Sequence, residues 1–269
     1  ITAMDVEEYL SYLESYTKDG KLYTNREEGK ARKLSSLKSF YDYYFKKNLI
    51  RTNPPRQVDV PKIKNKNIIR LDPNEIAQLL DEAESGEKLS GRQLASHEKT
   101  KVRDVAILTL LLGTGIRVSE CVGLNLEDVD FNNGAIRIIR KGGNEALIYF
   151  GDEVSQALET YMNGPRNTAE PAAGHEEALF ISLNKTRITT RSVERLVKKY
   201  SRLVTTVKKI TPHKLRSTFG TALYQETGDI YLVADTLGHK DVNTTKKHYA
   251  AIDEHRRRMA ANVVKLRES

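Results

Sequence analysis

The sequence has a single cysteine and no long apolar run, and both shortages exclude classes of protein. Cys121 alone supports neither a disulfide framework nor a thiolate zinc site, and it is typical of a reducing compartment, so we expect a cytoplasmic protein. No apolar stretch approaches the roughly 20 residues that cross a bilayer, and no signal peptide is visible, so no membrane partner is expected. With 39% hydrophobic and 30% charged residues among 269, the chain should form one large or two modest globular domains.

Several motifs of known chemistry are also missing. The sequence has no Walker A glycine loop, no GxGxxG and no GxSxG elbow. The pair His175-Glu176 is not followed by the second histidine of an HExxH zinc motif. A carboxylate cluster typical of two-metal nucleases is not evident. We therefore expect neither a metal nor another cofactor.

Positive charge is concentrated near the N-terminus. The chain has 44 Lys and Arg against 36 Asp and Glu, a net charge of +8, and residues 1–70 carry +6 of it, with 15 cations and 9 acids. This imbalance favours a polyanionic partner, with nucleic acid ahead of an anionic membrane. A basic face that is merely solvated is the alternative, and composition alone does not decide between them.

The N-terminal quarter is predicted to be helical. Apolar residues recur at helical spacing over residues 3–17 and again over 26–47. The second helix has a basic stripe beside its apolar one, which could touch the phosphates of DNA or simply be solvated. Its candidate DNA-binding residues are Arg26, Lys30, Arg32, Lys33 and Lys38. Residues 53–67 contain three prolines and no apolar period, which predicts an extended linker and a domain boundary near residue 68.

Beyond the linker, the pattern predicts mostly helices with one small sheet. Asp72 and Glu75 form a capping-box signal for a helix, whereas residues 86–100 are polar and predict a loop. Two β-prone runs separated by Lys141-Gly142-Gly143-Asn144-Glu145 predict a hairpin over residues 135–150. The other predicted helices cover 102–112, 117–122, 152–162, 190–204, 213–227, 230–237 and 243–251, with a basic helical tail at 253–266. The predicted fold class is mainly α with a small β-sheet.

Six residues in the second half of the chain could carry chemistry: Arg117, Lys141, His213, Arg216, His239 and Tyr249. Each alone has an ordinary interpretation, such as a surface ion pair, a turn lysine or a packed tyrosine. Together they supply cations, proton-transfer groups and a phenol nucleophile, which suits breaking and rejoining a phosphodiester without a metal. Glu120 lies three residues after Arg117 on the same helical face, where it could orient the guanidinium.

The order and context of these residues resemble the tyrosine recombinase (phage integrase) family, near its Xer and transposon-integrase branch. The resemblance is carried by GTGIRVSE at 113–120, RKGGN at 140–144, HKLRSTF at 213–219 and LGHKDVNTTKKHY at 237–249. Residues 38–54, KSFYDYYFKKNLIRTNP, also look like part of the family's core-binding domain. Tyr249 lies one residue further from His239 than the commonest family spacing, and His248 occupies the usual position.

The resemblance implies a reaction and a role for each residue. Tyr249 is the implied nucleophile, which attacks a phosphate of duplex DNA and forms a 3′-phosphotyrosyl bond. Arg117, Arg216 and His239 are the implied stabilisers of the phosphate charge, with Glu120 supporting them. Lys141 is the implied general acid for the 5′ oxygen, and His213 the implied base. Integration, excision and Xer-type dimer resolution all remain open.

The resemblance also implies an architecture and partners. A helical core-binding (SAM-like) domain over 1–67 and a catalytic domain over 68–269 would form a C-shaped clamp on double-stranded DNA. The first domain is short by about one helix and begins without Met, so a truncated N-terminus is expected. A C-terminal helix within 253–266 would dock on a neighbouring subunit of a tetramer, with apolar contacts from Val263, Val264 and Leu266. An accessory directionality protein is a further expected partner.

Two rival interpretations are weighed against this one. A DNA-binding protein of the same fold could have lost cleavage, although the intact set of six residues argues against it. A type IB topoisomerase has a similar active site, but it would relax supercoils as a monomer without pairing two sites.

Overall fold

A computed structural model of the chain describes residues 1–63, 69–140, 142–239 and 242. It divides into two compact units, Ile1–Asn67 and Ile68–Ser269, which are described separately below. Helices dominate both units and the sheets are small, which confirms the predicted fold class. In the described part of the chain, no helix is both long and apolar enough to cross a membrane.

The first unit packs its helices around a small apolar core. Its elements are α1 (Ala3–Tyr12), β1 (Ser15–Lys18), β2 (Lys21–Thr24), α2 (Glu27–Lys46) and α3 (Pro54–Gln57). Helix α1 begins with a capping box, in which Thr2 and Asp5 satisfy each other's backbone amides. The buried core residues are Val6, Leu10, Leu13, Leu34 and Val58.

The prediction of one helix over residues 3–17 is wrong after Tyr12. The chain instead forms an antiparallel ribbon in which Ser15 pairs with Thr24 and Lys18 with Lys21. Asp19 and Gly20 both have positive φ, 52° and 71°, as a two-residue hairpin turn requires. The Asp-Gly pair between β-prone residues is therefore what ends the helical segment.

The predicted extended linker over 53–67 begins too early. Pro54 and Pro55 open the helical turn α3 and are buried, because their fixed φ suits a first turn. The turn is held to α2 by Asp42, whose carboxylate accepts from Asn53 at 2.6 Å and Arg56 at 2.7 Å. Residues 53–58 thus belong to the first unit, and residues 64–68 lie outside the described part of the chain.

The second unit is built around a helix whose central residues are buried. Helix α6 buries Ala106 to Leu108 and Leu110 to Leu111 completely or almost so. The helices before the sheet are α4 (Pro73–Ser85), α5 (Gly91–Glu98), α6 (Lys101–Thr114) and α7 (Val118–Gly123). The helices after it are α8 (Asp152–Tyr161), α9 (Thr190–Val204), α10 (Pro212–Thr227) and α11 (Ile230–Thr236). A 3₁₀ turn covers Leu126–Asp128, and a π turn covers Met162–Arg166.

One three-stranded antiparallel sheet accompanies these helices. Its strands are β3 (Val129–Asp130), β4 (Ala135–Ile139) and β5 (Glu145–Tyr149), in that order. The predicted hairpin is confirmed as β4–β5, in which Ala135 pairs with Tyr149 and Ile139 with Glu145. Strand β3 was not predicted, because two residues give no period. The hairpin's tip residue, Lys141, lies outside the described residues.

The prediction of a loop over 86–100 is wrong, because residues 91–98 form α5. The helix buries His97 completely, and the imidazole Nδ1 lies 3.0 Å from the hydroxyl of Tyr200. Tyr200 donates its proton to Asp104 at 3.0 Å, so His97 must donate from Nδ1 to the tyrosine oxygen. This contact between distant segments, which no local pattern encodes, holds α5 against the core.

Acid should weaken this unit through His97. Burial lowers the pKa of His97, and the Lys199 ammonium beside Tyr200 lowers it further, against the opposing charges of Glu98 and Asp104. Below pH about 6.5, the unfolded state binds a proton at His97 that the folded state resists. The contribution of His97 to the free energy of unfolding is therefore fully present above that pH and is lost as the pH falls below it. In urea titrations from pH 7 to 5, we expect His97→Gln to flatten the fall in free energy of unfolding. The half-buried loop histidine His175, changed to Gln, is the control and should keep the parent's slope; an equal slope in His97→Gln would contradict the prediction.

Candidate active site

A glycine turn at the end of α6 begins the site. Gly115 adopts a left-handed conformation with φ 62°, and its N–H bonds to Leu111 O, which closes the helix. A Cβ at this position would overlap the ring of Phe219 on α10. Glycine is therefore required both for the turn and for the close approach of α10.

Arg117 follows this turn as the N-cap of α7. Its backbone N–H and its Nη1 each donate to the Glu120 carboxylate at 2.7 Å, so the contact expected from the i, i+3 spacing is present. The Glu120 side chain is only 3% exposed, whereas that of Arg117 is 35% exposed. A buried carboxylate thus holds the guanidinium while leaving it reachable from solvent.

Helix α10 contributes Arg216 and His213. Pro212 occupies the first turn, where its fixed φ suits a helix start, and the N-cap Thr211 makes no side-chain cap hydrogen bond. Arg216 is 6% exposed and donates from Nη1 to Gly115 O at 2.6 Å. His213, one turn earlier, is exposed. The glycine turn therefore positions both predicted arginines. Arg117 lies two residues after Gly115 in the chain, and Arg216 is held by its hydrogen bond to the Gly115 carbonyl.

His239 is placed by the way α11 ends. Gly238 has φ 60°, its N–H bonds to Asp235 O, and the N–H of His239 bonds to Ala234 O, both at 2.8 Å. These two bonds make a Schellman motif, as the Leu-Gly-His sequence predicts. The partly buried His239 consequently leaves the helix end in a fixed direction.

Both arginines converge on this helix end. Arg117 donates from Nη2 to Gly238 O at 3.2 Å, and Arg216 donates from Nη2 to Leu237 O. Their guanidinium groups therefore lie at consecutive carbonyls, directly beside His239. Paired planar cations and an imidazole are suited to hold the non-bridging oxygens of a phosphate. Lys141 and Tyr249, the other two of the six predicted residues, lie outside the described residues.

Arg140, which the sequence did not single out, joins the same helix end. Its guanidinium donates to Asp235 O at 3.3 Å and to Thr236 O at 3.2 Å. A Cβ at Gly238 would overlap this guanidinium. Three arginines thus cover four consecutive carbonyls, where the helix carries partial negative charge. Only its place next to Lys141 could have marked Arg140 in the sequence.

Cys121 is not a competing nucleophile at this site. It lies four residues after Arg117 and is fully buried. Burial raises the pKa of the Cys121 thiol to about 12, so the reactive thiolate is absent near neutral pH.

A basic stripe on α9 is a second feature that sequence reasoning missed. Four exposed cations recur at steps of three or four residues, on the side opposite the buried Val193 and Val197: Arg191, Arg195, Lys198 and Arg202. This spacing makes one continuous charged face on a helix. The helical spacing of these four cations is visible in the sequence and could have predicted the basic stripe.

The basic stripe predicted on α2 is only partly available for a ligand. Lys30 is 7% exposed and pairs with Glu14 at 2.7 Å and Glu27 at 2.8 Å. Lys38 donates to Val58 O at 2.8 Å, which ties α2 to the segment after α3. Both lysines hold the first unit together, so the interpretation of the stripe as one phosphate-binding face needs correcting. Arg26 and Arg32 are exposed.

The chain is similar to known proteins over most of its length. Residues 69–256 match the model of the phage integrase family. Tyrosine recombinase XerC of Thermodesulfovibrio yellowstonii is 37% identical over 218 residues, which are 80% of this chain and 69% of that protein.

Solved structures that share the fold include two that contain DNA. The XerH site-specific recombinase bound to a palindromic difH substrate, in a post-cleavage complex, has a TM-score of 0.73 at 22% identity, covering 98% of this chain and 72% of that one. The Tn1549 transposon integrase in complex with circular intermediate DNA has a TM-score of 0.70 at 24% identity, covering 96% and 85%.

Proposed function

Since the chain belongs to the phage integrase family and is a tyrosine site-specific recombinase, we propose that it cleaves and rejoins duplex DNA through Tyr249. The observation that carries the proposal is the pair of guanidinium groups, Arg117 and Arg216, at consecutive carbonyls beside His239. A phosphate placed there would face two fixed cations and a hydrogen-bond donor. The buried Glu120 keeps Arg117 oriented before DNA arrives.

The proposed reaction exchanges one ester for another. The Tyr249 oxygen bonds to phosphorus as the bond from phosphorus to the 5′ oxygen breaks, which leaves a 3′-phosphotyrosyl ester. His213 takes the phenol proton, and Lys141 gives a proton to the departing 5′ oxygen. A 5′-hydroxyl of a partner strand then attacks the ester, releases Tyr249 and reseals the DNA.

Charge stabilisation is the proposed task of the arginines. Negative charge grows on the non-bridging oxygens as the fifth bond to phosphorus forms, and donors fixed in advance lower this barrier. Arg117 and Arg216 would each reach a non-bridging oxygen, and His239 would add a further hydrogen bond. Arg140 would keep the end of α11 in place without touching the phosphate.

The proposed DNA contacts outside the active site come from both units. In the second unit the cations of α9, Arg191, Arg195, Lys198 and Arg202, would contact phosphates. In the first unit Arg26, Arg32 and Lys33 remain from the predicted stripe. Because such contacts release counterions, affinity should fall steeply with salt.

The finer assignments are proposals as well. We propose a tetramer on DNA, held by a C-terminal helix within 253–266, and an accessory protein that sets direction. The chain would act in a bacterial cytoplasm on the integration or excision of a mobile element, or on Xer-type resolution.

A nicked suicide substrate tests this function. The wild-type protein, incubated with DNA that flanks its gene and carries a nick near the cleaved phosphate, should yield a covalent adduct on a denaturing gel. With two target sites on one plasmid it should also exchange strands between them. Binding without any adduct would favour the non-cleaving alternative, and relaxation of any plasmid without joining would favour a topoisomerase.

A further inference from the structure

The β1–β2 ribbon of the first unit has a face of alternating aromatic and basic side chains. Side chains two apart in a strand share a face, so Tyr16 and Lys18 on β1 lie with Lys21 and Tyr23 on β2. All of the ribbon's residues are exposed except the partly buried Tyr16. An isolated two-stranded ribbon is only marginally stable, so this one depends on contacts with the helices beside it.

Aromatic stacking anchors the ribbon to the helices. The Tyr16 and Tyr23 rings stack with centroids 5.4 Å apart and planes 15° apart, and Tyr12 of α1 lies 5.2 Å from Tyr16. Asn25 fixes the base by donating its side-chain amide to Leu13 O at 2.8 Å. The ribbon is therefore held in place by the first unit, which also contains α2, and its exposed face is accessible from solvent.

Positive charge is held along this stack. The ammonium of Lys33 on α2 lies 5.6 Å from the Tyr16 ring centroid, and that of Lys21 lies 5.8 Å from the Tyr23 centroid. The ribbon face is thus continuous with Lys33, which belongs to the proposed DNA-contacting set of α2.

The end of the ribbon has like charges facing each other. Lys18 and Lys21 are directly opposite in the register, flanking the turn. Like charges in this position destabilise a strand pair unless a counter-charge lies across them. The turn itself supplies one carboxylate, Asp19, against the two ammonium groups. The arrangement is favourable when an external anion spans both lysines.

We propose that the ribbon's basic and aromatic face binds the phosphate backbone of the same duplex that the active site cleaves. This inference rests on the proposed function for its partner. Two opposed lysines, with a third ammonium along the tyrosine stack, match a row of phosphates. The ribbon's opposite face presents the uncharged side chains of Ser15, Thr17, Leu22 and Thr24, so only the basic and aromatic face would attract a polyanion.

The salt dependence of DNA binding tests the ribbon. We would measure binding of a duplex recombination site by fluorescence anisotropy over a series of KCl concentrations. Lys18→Gln/Lys21→Gln should lower the slope of log affinity against log salt by about 2, because two phosphate contacts are lost. The control is Lys99→Gln/Lys185→Gln, which removes two exposed lysines of the second unit, equal in charge, and should keep the parent's slope.

Two outcomes would overturn the ribbon proposal. The double variant could keep the parent's slope, or the control could lose as much slope, which would make net charge the cause. If the double variant keeps the slope and changes self-association measured by sedimentation without DNA, the ribbon would be assigned to contact with a second copy of the chain. The readout is binding alone, whereas failure of the proposed function would show as wild-type protein that forms no covalent adduct.

Discussion

Tyr249→Phe is expected to bind its duplex with unchanged affinity and to form no covalent adduct. The substitution removes only the phenolic oxygen, which is the atom that would bond to phosphorus. No charge is lost, so the phosphate contacts that dominate affinity remain. The measurement pairs anisotropy binding with a denaturing gel of the nicked suicide substrate, on which the adduct band should disappear completely.

A second tyrosine provides the control for this result. Tyr231 lies on α11 and is 71% exposed, so Tyr231→Phe removes a similar hydroxyl without touching the core. It should form the adduct at the parent's rate. If Tyr249→Phe still traps DNA, the nucleophile has been assigned wrongly. His248, which holds the commoner family position, would then be the next residue to replace.

Features that depend on a few neighbouring residues could be predicted from the sequence. The capping box of Asp72 and Glu75 is present at the start of α4, with each side chain bonded to the other's backbone. Gly115 and Gly238 end their helices in the left-handed conformation that the sequence suggests. Such signals are sufficient because each capping bond joins residues at most five positions apart in the chain.

Features that depend on distant contacts could not be predicted. Helix α5 has polar, exposed residues, and it is held by the burial of His97 against Tyr200, 103 positions away. Lys30 belongs to a basic stripe in sequence, yet its side chain is buried and pairs with Glu14, which lies in the turn before the ribbon. Charge pattern alone does not show whether a lysine faces solvent or an acid.

The active site combines both kinds of information. The order of the motifs that contain Arg117, His213, Arg216 and His239 predicts which residues carry the chemistry. The sequence order does not predict where in the fold these side chains come together. That meeting point depends on the end of α11, where Arg140 reaches Asp235 across 95 positions and Arg117 reaches Gly238 across 121. The ribbon combines a local signal with a misleading one. The Asp19-Gly20 pair is a hairpin-turn signal, but the helical period before it hides the point where α1 ends and the ribbon begins.

Arg216→Lys is expected to slow covalent adduct formation by a factor of 10² to 10³ with little change in DNA binding. Lysine keeps the charge but lacks the planar fork of five N–H donors, which can hold the carbonyls of Gly115 and Leu237 and still donate to a phosphate oxygen. Removing one donor that is fixed in advance costs on the order of 3 kcal/mol at the barrier, which corresponds to that factor. The measurement is the single-turnover rate of adduct formation on the suicide substrate at saturating protein.

Arg166 provides a closely matched control for Arg216. Both arginines are 6% exposed, and both donate to two backbone carbonyls, Arg166 to those of Ala178 and Glu176. Arg166→Lys should therefore lower the urea midpoint as much as Arg216→Lys does, because each leaves a buried carbonyl short of a donor. Its adduct rate should stay at the parent's value. If both variants form the adduct equally slowly, Arg216 has only a structural role. The lower rate would then result from lower stability and not from a misplaced cation at the reacting phosphate.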